Sequence, residues 1–313
     1  MPNNSHNNIE LSVVIPLYKC SGTLEELCDR LLLVFKKLNK EFEIILVNDA
    51  SPENDWEIAS KLSKTNKNIK SINLSRNFGQ QTAIFCGLEN AKGHWIVVMD
   101  GDLQDLPEEI EKLYEQTHSK FDIILARRHH RKDKFFKKLS SYLFYKMLTF
   151  LTDKKFDPAV GNFGLYHNNV INAVLSMGDQ MKFFYLMISW VGFKTTKVDV
   201  IHSPRKVGKT SYNIRSLFHL AFTGIISFSN KPLRIVIKFG FILVFISFLM
   251  IAYYLYQYFQ GKIIVLGYAS TIVSLWFLTG CIISILGVIG TYLGSIFEKV
   301  KDRPTYIVKE VIN

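Results

Sequence analysis

Two long apolar stretches near the C-terminus constrain this chain more than any other feature. Ile235–Phe259 is apolar apart from Lys238 near its start and Gln257 near its end, and Leu266–Phe297 contains no charged residue. Each exceeds the about 20 residues that a helix needs to cross a bilayer. The polar break Gln260-Gly261-Lys262 separates them. The pair therefore reads as a transmembrane hairpin, with spans at about 235–259 and 266–294, and helices buried in a soluble core are a weak alternative at this length. Lys231, Arg234 and Lys238 stand at the entry, Lys299, Lys301 and Arg303 at the exit, and only Lys262 between. The positive-inside bias puts both flanks, and everything before the hairpin, on the cytoplasmic side. The N-terminal MPNNSHNNIE lacks the basic-then-apolar pattern of a signal sequence. The expected location is the inner (cytoplasmic) membrane, with more than one pass.

The 313 residues leave room for a sizeable domain ahead of the hairpin. Short β-branched runs alternate with helical patterns there. Leu11–Pro16, Phe42–Val47, Ile69–Leu74, Trp95–Met99 and Phe121–Ala126 read as strands. Ser21–Leu38, Asp55–Lys64, Gly79–Asn90 and Leu106–Glu115 read as the helices between them, the last with Pro107 suited to its first turn. This alternation predicts an α/β fold with a doubly wound, mostly parallel sheet. Cys20, Cys28, Cys86 and Cys281 show no C-x-x-C spacing and read as reduced thiols.

The fourth strand ends abruptly in acid: Val97–Asp105 reads VVMDGDLQD. Ligands of open α/β sheets bind beyond the carboxyl ends of the strands. Asp100 and Asp102, separated only by Gly101, can reach one hard divalent cation from there. Mg²⁺ or Mn²⁺ accepts such carboxylate oxygens together with those of a diphosphate, which is the chemistry of a nucleotide-sugar site. A solvated acidic loop is the plain reading of an isolated D-x-D, and the rest of the chain weighs against it.

After Arg127 the pattern changes. Residues 127–138, RRHHRKDKFFKK, carry seven basic residues against Asp133, and an aromatic-rich apolar segment, Leu139–Leu151, follows. Phe135, Phe136, Tyr142, Phe144 and Tyr145 argue against a fully solvated charged face, so residues 127–151 read as a basic amphipathic element lying in a membrane interface. Ile214–Phe228 is a second such segment, within a juxtamembrane region 213–234. The formal charge of +11 is thereby assigned to anionic lipid headgroups or a phosphorylated lipid. Nucleic acid is not expected, because no aromatic stacking platform or reading helix is evident.

Four motifs stand in order: VVIPLY at 13–18, VNDAS at 47–51, SRNFGQQTA at 75–83 and MDGDLQD at 99–105. With SWVGF (189–193), GIISFSNKPLR (224–234) and the two spans, they resemble the family 2 inverting glycosyltransferases of the GT-A fold. Within that family the chain is similar to the polyprenyl-phosphate glycosyltransferases, the group containing dolichyl-phosphate mannose synthase and bacterial undecaprenyl-phosphate glucosyl- and aminoarabinosyltransferases. The resemblance implies a GT-A domain over 1–212 and a cytoplasmic tail over 298–313. It implies metal-dependent transfer of a sugar from a nucleotide diphosphosugar, UDP-linked in preference to GDP-linked, onto undecaprenyl or another polyprenyl phosphate, supplying envelope glycan or lipid A modification. Oligomeric state is left open, a homo-oligomer included.

The same resemblance implies roles. Pro16, Tyr18, Asp49, Arg76, Gln80, Asp100 and Gly101 would hold the nucleotide sugar; Asp100, Asp102 and Gln104 would hold the metal; Arg127, Arg128, Arg205, Lys209 and Ser211 would meet the acceptor phosphate; and Asp102, Asp157 and Arg127 would serve catalysis. Several alternatives stay open. Asp49 either accepts a hydrogen bond from a base N–H or organises a turn. Asp105 either joins the acidic site or caps the next helix. Arg76 is a site residue or a loop arginine paired with surface carboxylates. Asp157 is a base or a positioning residue, and the choice between Arg127 and Arg128 is undecided. The chain also departs from the family. Lys19 and Cys20 stand where many members have Asn and Glu, and Asn162-Phe163-Gly164-Leu165 replaces the usual D-F-R-L. Arg205 to Tyr212, RKVGKTSY, lacks the late lysine of R-x-x-G-x-S-K-Y. A membrane scaffold with a degenerate nucleotide site, or a processive polysaccharide synthase, would be the competing functions; the second lacks its Q-x-x-R-W segment here.

Overall fold

The structure is a computed structural model and describes residues 9–128, 160–178, 182–203, 231–260 and 267–313. It contains two units. The first is built on an eight-stranded sheet: β1 (Leu11–Leu17), β2 (Phe42–Asn48), β3 (Ile69–Leu74), β4 (Trp95–Val98), β5 (Ile123–Arg128), β6 (Val160–His167), β7 (Thr195–Val200) and β8 (Val308–Ile312). The spatial order is β7-β5-β6-β4-β1-β2-β3-β8. β1 pairs in parallel with β2 and β4, β2 with β3, and β5 with β7, whereas β6 and β8 run antiparallel to their neighbours.

The first four strands are buried on both faces, which is why they read as unbroken apolar runs. One face is covered by α1 (Leu24–Leu38), α2 (Asp55–Thr65) and α4 (Glu109–Glu115), the other by α3 (Gln80–Asn90), α5 (Asn168–Ser176) and α6 (Phe184–Trp190). α1 has Glu25 and Glu26 in its first turn and Lys36 and Lys37 in its last, complementing the helix dipole. Leu24, Leu27, Cys28, Leu31, Val34 and Phe35 form its buried stripe. α3 comes very close to the sheet at Gly87, where a Cβ would lie 2.3 Å from Val14 Cγ1.

The last ten residues, read from sequence as part of a tail, return to the sheet. β8 pairs with the outer edge of β3, and the Asn313 side chain donates to the carbonyls of Lys67 and Ile69 at 2.7 and 2.8 Å. The second unit contains α7 (Lys231–Phe259) and α8 (Tyr268–Val300). At 1.5 Å per residue these helices are about 43 and 50 Å long, more than a bilayer core requires. Large apolar side chains such as Phe241, Phe248, Trp276 and Phe297 are exposed along them. Both helices are long and apolar enough to cross a membrane. The basic segment 129–151, and Asp157, Arg205, Lys209, Ser211 and residues 213–230, lie outside the described residues.

Candidate active site

The carboxyl ends of β1, β2 and β4 each lead into a residue in the left-handed region: Lys19 (φ 60°), Ala50 (φ 47°) and Leu103 (φ 57°). None is glycine, and for a branched residue such as Leu103 the conformation is strained. Strain gathered at one end of a sheet marks a functional edge. Pro16 lies within β1 in register with Val47, and Tyr18 follows it half-exposed, with Lys19 Nζ 5.6 Å from its ring centre.

The D-G-D-L-Q-D loop is held from beneath. Thr23 Oγ1 donates to the Gly101 carbonyl at 2.7 Å, and Cys20 N donates to both carboxylate oxygens of the buried Asp55 at 3.1 Å. A Cβ on Gly101 would stand 3.2 Å from Cys20 Sγ. Cys20 thus packs under the loop. Burial pushes its thiol up to about 12, with Asp55, Asp102 and Asp100 adding to the shift, so the sulfur stays protonated and inert. Asp102 Oδ1 accepts Gln104 N at 3.1 Å, the short turn that holds Leu103 in its strained conformation.

Asp100 accepts a hydrogen bond from Gln80 Nε2 at 2.6 Å, so α3 delivers its first residue directly to the acidic loop. Desolvation raises the Asp100 carboxyl to about 7; the charges of Asp105 and Asp102 add to this, and Arg128 and Gln80 oppose it. Three carboxylates thus share this edge with the Arg128 guanidinium. The donor set consists of hard oxygens and suits Mg²⁺ or Mn²⁺. Among the described residues no three His, Cys, Asp or Glu side chains converge to hold an ion by themselves. A cation held by Asp100 and Asp102 would therefore need the Gln104 amide oxygen and oxygens of a bound diphosphate.

Asp49 is buried, and its two oxygens accept Phe78 N at 2.7 Å and Gly79 N at 2.9 Å. Burial raises its carboxyl, and these two N–H groups oppose the rise. These bonds tie Asp49 to the R-N-F-G loop. Arg76 lies over the Phe78 ring at 4.3 Å, within the same loop.

The two arginines ending β5 part company. Arg127 forms a bidentate pair with Asp199 of β7, Nε to Oδ1 at 2.6 Å and Nη2 to Oδ2 at 2.9 Å. Arg128, one residue on, reaches Asp105 with Nη2 3.5 Å from Oδ1. The structure therefore brings Arg128, not Arg127, to the carboxylates, because neighbouring residues of a strand face opposite sides. Asp105 does not cap the following helix, which begins at Glu109; it also meets His202 Nδ1 at 3.3 Å. Thr23, Asp55 and His202, which motif reading does not single out, hold this edge through hydrogen bonds. Of these, only His202 carried a sequence signal, standing three residues before Arg205.

The mixed α/β sheet with an acidic loop at its carboxyl edge defines a GT-A type of protein. Residues 12–175 match the family described as glycosyl transferase family 2. The chain is 32% identical over 305 residues to the prophage bactoprenol glucosyl transferase homolog of Escherichia coli K12, covering 97% of this chain and 99% of that one. It is 30% identical over 310 residues to the undecaprenyl-phosphate 4-deoxy-4-formamido-L-arabinose transferase of Photorhabdus laumondii, covering 97% and 94%. The crystal structure of glucosyl-3-phosphoglycerate synthase from Mycobacterium tuberculosis, in complex with Mn²⁺, UDP and phosphoglyceric acid, superposes with a TM-score of 0.50 at 13% identity, covering 70% of this chain and 77% of that one, and shows the shared fold. This chain belongs to glycosyl transferase family 2 and is a glycosyltransferase.

Proposed function

We propose that this glycosyltransferase moves one sugar from a nucleotide diphosphosugar, UDP-linked in preference to GDP-linked, onto undecaprenyl or another polyprenyl phosphate at the cytoplasmic face of the inner membrane. One observation carries the reading: the acidic loop and a guanidinium meet at the carboxyl edge of a sheet whose chain also holds two membrane-length apolar helices. The full-length similarity to transferases named for bactoprenol and undecaprenyl phosphate supports the same acceptor. An envelope glycan or lipid A would receive the sugar in a later step.

Asp100, Asp102 and Gln104 would hold Mg²⁺ or Mn²⁺, which would offset the charge developing on the departing nucleoside diphosphate. Tyr18, Arg76 and Gln80, with the loop fixed by Asp49, would bind and orient the nucleotide. The acceptor phosphate, with a second pKa of about 6, is already anionic at neutral pH. It needs positioning more than a general base, so Asp157 is assigned a positioning role. Arg128 presents a planar set of donors that matches a phosphate. Attack on the anomeric carbon from the face opposite the nucleotide inverts its configuration: a C–O bond to the acceptor phosphate forms as the C–O bond to the diphosphate breaks.

The purified full-length protein, incubated with undecaprenyl phosphate and a panel of nucleotide sugars, is expected to yield one glycosylated lipid phosphate detectable by mass spectrometry. Asp102→Asn is expected to abolish that product while the protein stays folded, because a lost carboxylate weakens hard-cation binding. No lipid product with any donor, or near wild-type turnover in Asp102→Asn, would refute this reading.

A further inference from the structure

We infer that Asp105 and His202 form a joint through which the donor loop and the acceptor end of the site are coupled, so that nucleotide binding tightens acceptor binding. The inference rests on the proposed polyprenyl-phosphate transfer and adds to it two positioning residues. Three elements converge on one buried oxygen. Asp105 closes the acidic loop after β4 and is 2% exposed. Its Oδ1 lies 3.5 Å from Arg128 Nη2 at the end of β5 and 3.3 Å from His202 Nδ1, two residues past β7. The backbone repeats the connection. Asp105 and His202 form an antiparallel bridge, and Ser203 N donates to the Gln104 carbonyl at 2.9 Å. Gln104 is thus tied to residues 202–203 through its main chain while its side chain belongs to the D-x-D-x-Q set.

The contact lengths matter. A charge-assisted N–H to carboxylate bond usually spans about 2.7–2.9 Å. Asp105 meets both basic side chains at longer range, so Arg128 is steered and not locked. Arg128 also lies along β6, where a Cβ on Gly161 would come within 3.4 Å of its Nη2. An incoming phosphate monoester competes with Asp105 for that guanidinium and offers the bidentate geometry that Asp105 does not. Uncovering a buried carboxylate would be costly, and His202 is the partner that remains on Asp105 when Arg128 turns to the phosphate. A ligand that fixes Asp100, Asp102 and Gln104 fixes the loop on which Asp105 sits. It therefore fixes the point from which Arg128 is steered and to which residues 202–203 are bonded.

Coupling of this kind is reciprocal and measurable as a ratio of affinities. The test is equilibrium binding of farnesyl phosphate to the full-length protein in detergent, with and without UDP and Mn²⁺, so that no turnover occurs. In the wild-type protein UDP with Mn²⁺ is expected to tighten farnesyl phosphate binding at least about fivefold. In His202→Ala that ratio is expected to fall to about one, with UDP affinity unchanged in a protein that is less stable but still folded at the assay temperature; His202→Asn, which keeps a donor near Asp105, should recover part of both. Asp105→Asn should behave as His202→Ala, and His202→Ala alone decides if Asp105→Asn does not fold. Retention of the full ratio in His202→Ala, or a parallel loss of UDP affinity, would overturn the joint. Binding of farnesyl phosphate that ignores UDP in the wild-type protein would overturn the joint alone. No binding of farnesyl phosphate in any state would remove the polyprenyl-phosphate reading and the joint with it.

Discussion

Gly164 shows how one residue can replace a family feature. It stands where the resemblance leads one to expect the arginine of D-F-R-L, and a Cβ here would lie 2.8 Å from Tyr166 Oη and 2.9 Å from the Ile124 carbonyl. Tyr166 fills that space, fully buried, with its hydroxyl donating to the Asn162 carbonyl at 3.0 Å and its ring edge-on to Phe184. Burial raises the phenol's pKa, so it remains a neutral donor. The departure from the family pattern is therefore repacked and not merely lost. Gly164→Ala is expected to destabilise the protein by about 1–3 kcal/mol, the usual cost of overpacking a core. Tyr166→Phe removes the nearer obstacle, so the double variant should cost less than the sum of the two single changes in denaturant unfolding. Additive costs would show that the hydroxyl is not the obstacle. The two arginines illustrate the limit of reading single residues. Arg127 and Arg128 were both visible as candidates, but Ile123–Ala126 is buried on both faces. A strand without polar–apolar alternation gives no parity from which to tell which arginine faces the site.

Elements were legible where their own pattern was strong. The first five strands and the four helices between them follow from apolar runs and 3.6-residue periodicity, with ends shifted by a few residues. β6, α5, α6 and β7 were not read, because N-F-G-L-Y-H and the alternating T-T-K-V-D-V carry weak signals beside the basic and aromatic run before them. β8 was missed for a different reason. VKEVI is short, with two charged residues among its five, and its strand character comes from pairing with a partner more than 200 residues earlier. That pairing has consequences for the site. Ser75 N, at the start of the R-N-F-G loop, donates to the Ile307 carbonyl at 2.9 Å, and the Tyr306 hydroxyl donates to Glu89 on α3. The chain leaving α8 thus steadies both the Arg76 loop and the helix that begins with Gln80. Deleting residues 308–313 is expected to expose the β3 edge, promote aggregation and weaken UDP binding several-fold, measured by light scattering and titration calorimetry. Unchanged UDP affinity would show that the strand covers an edge and does nothing for the nucleotide loop.

At the scale of the whole molecule, β8 turns a hydropathy argument into a topological one. The chain leaves the sheet before α7 and rejoins the same sheet after α8. Strands before α7 and after α8 belong to one sheet, so if the two helices cross a bilayer they do so as a pair. Under the positive-inside bias, the basic residues around the two helices, Lys231, Arg234, Lys238, Lys299, Lys301 and Arg303, would put the sheet on the cytoplasmic side, as the proposed function requires. Gln260, just after α7, would then lie on the opposite side of the membrane. Cysteine labelling tests this directly, since Cys20, Cys28 and Cys86 are buried and Cys281 lies within α8. In spheroplasts, a membrane-impermeant maleimide is expected to label Gln260→Cys without lysis. The exposed Lys40→Cys, on the catalytic unit, should react only after the membrane is broken. Labelling of both positions in intact spheroplasts, or of neither, would sink the hairpin. Labelling of Lys40→Cys alone would place the sheet outside the cell, where neither a nucleotide sugar nor the proposed reaction is to be found.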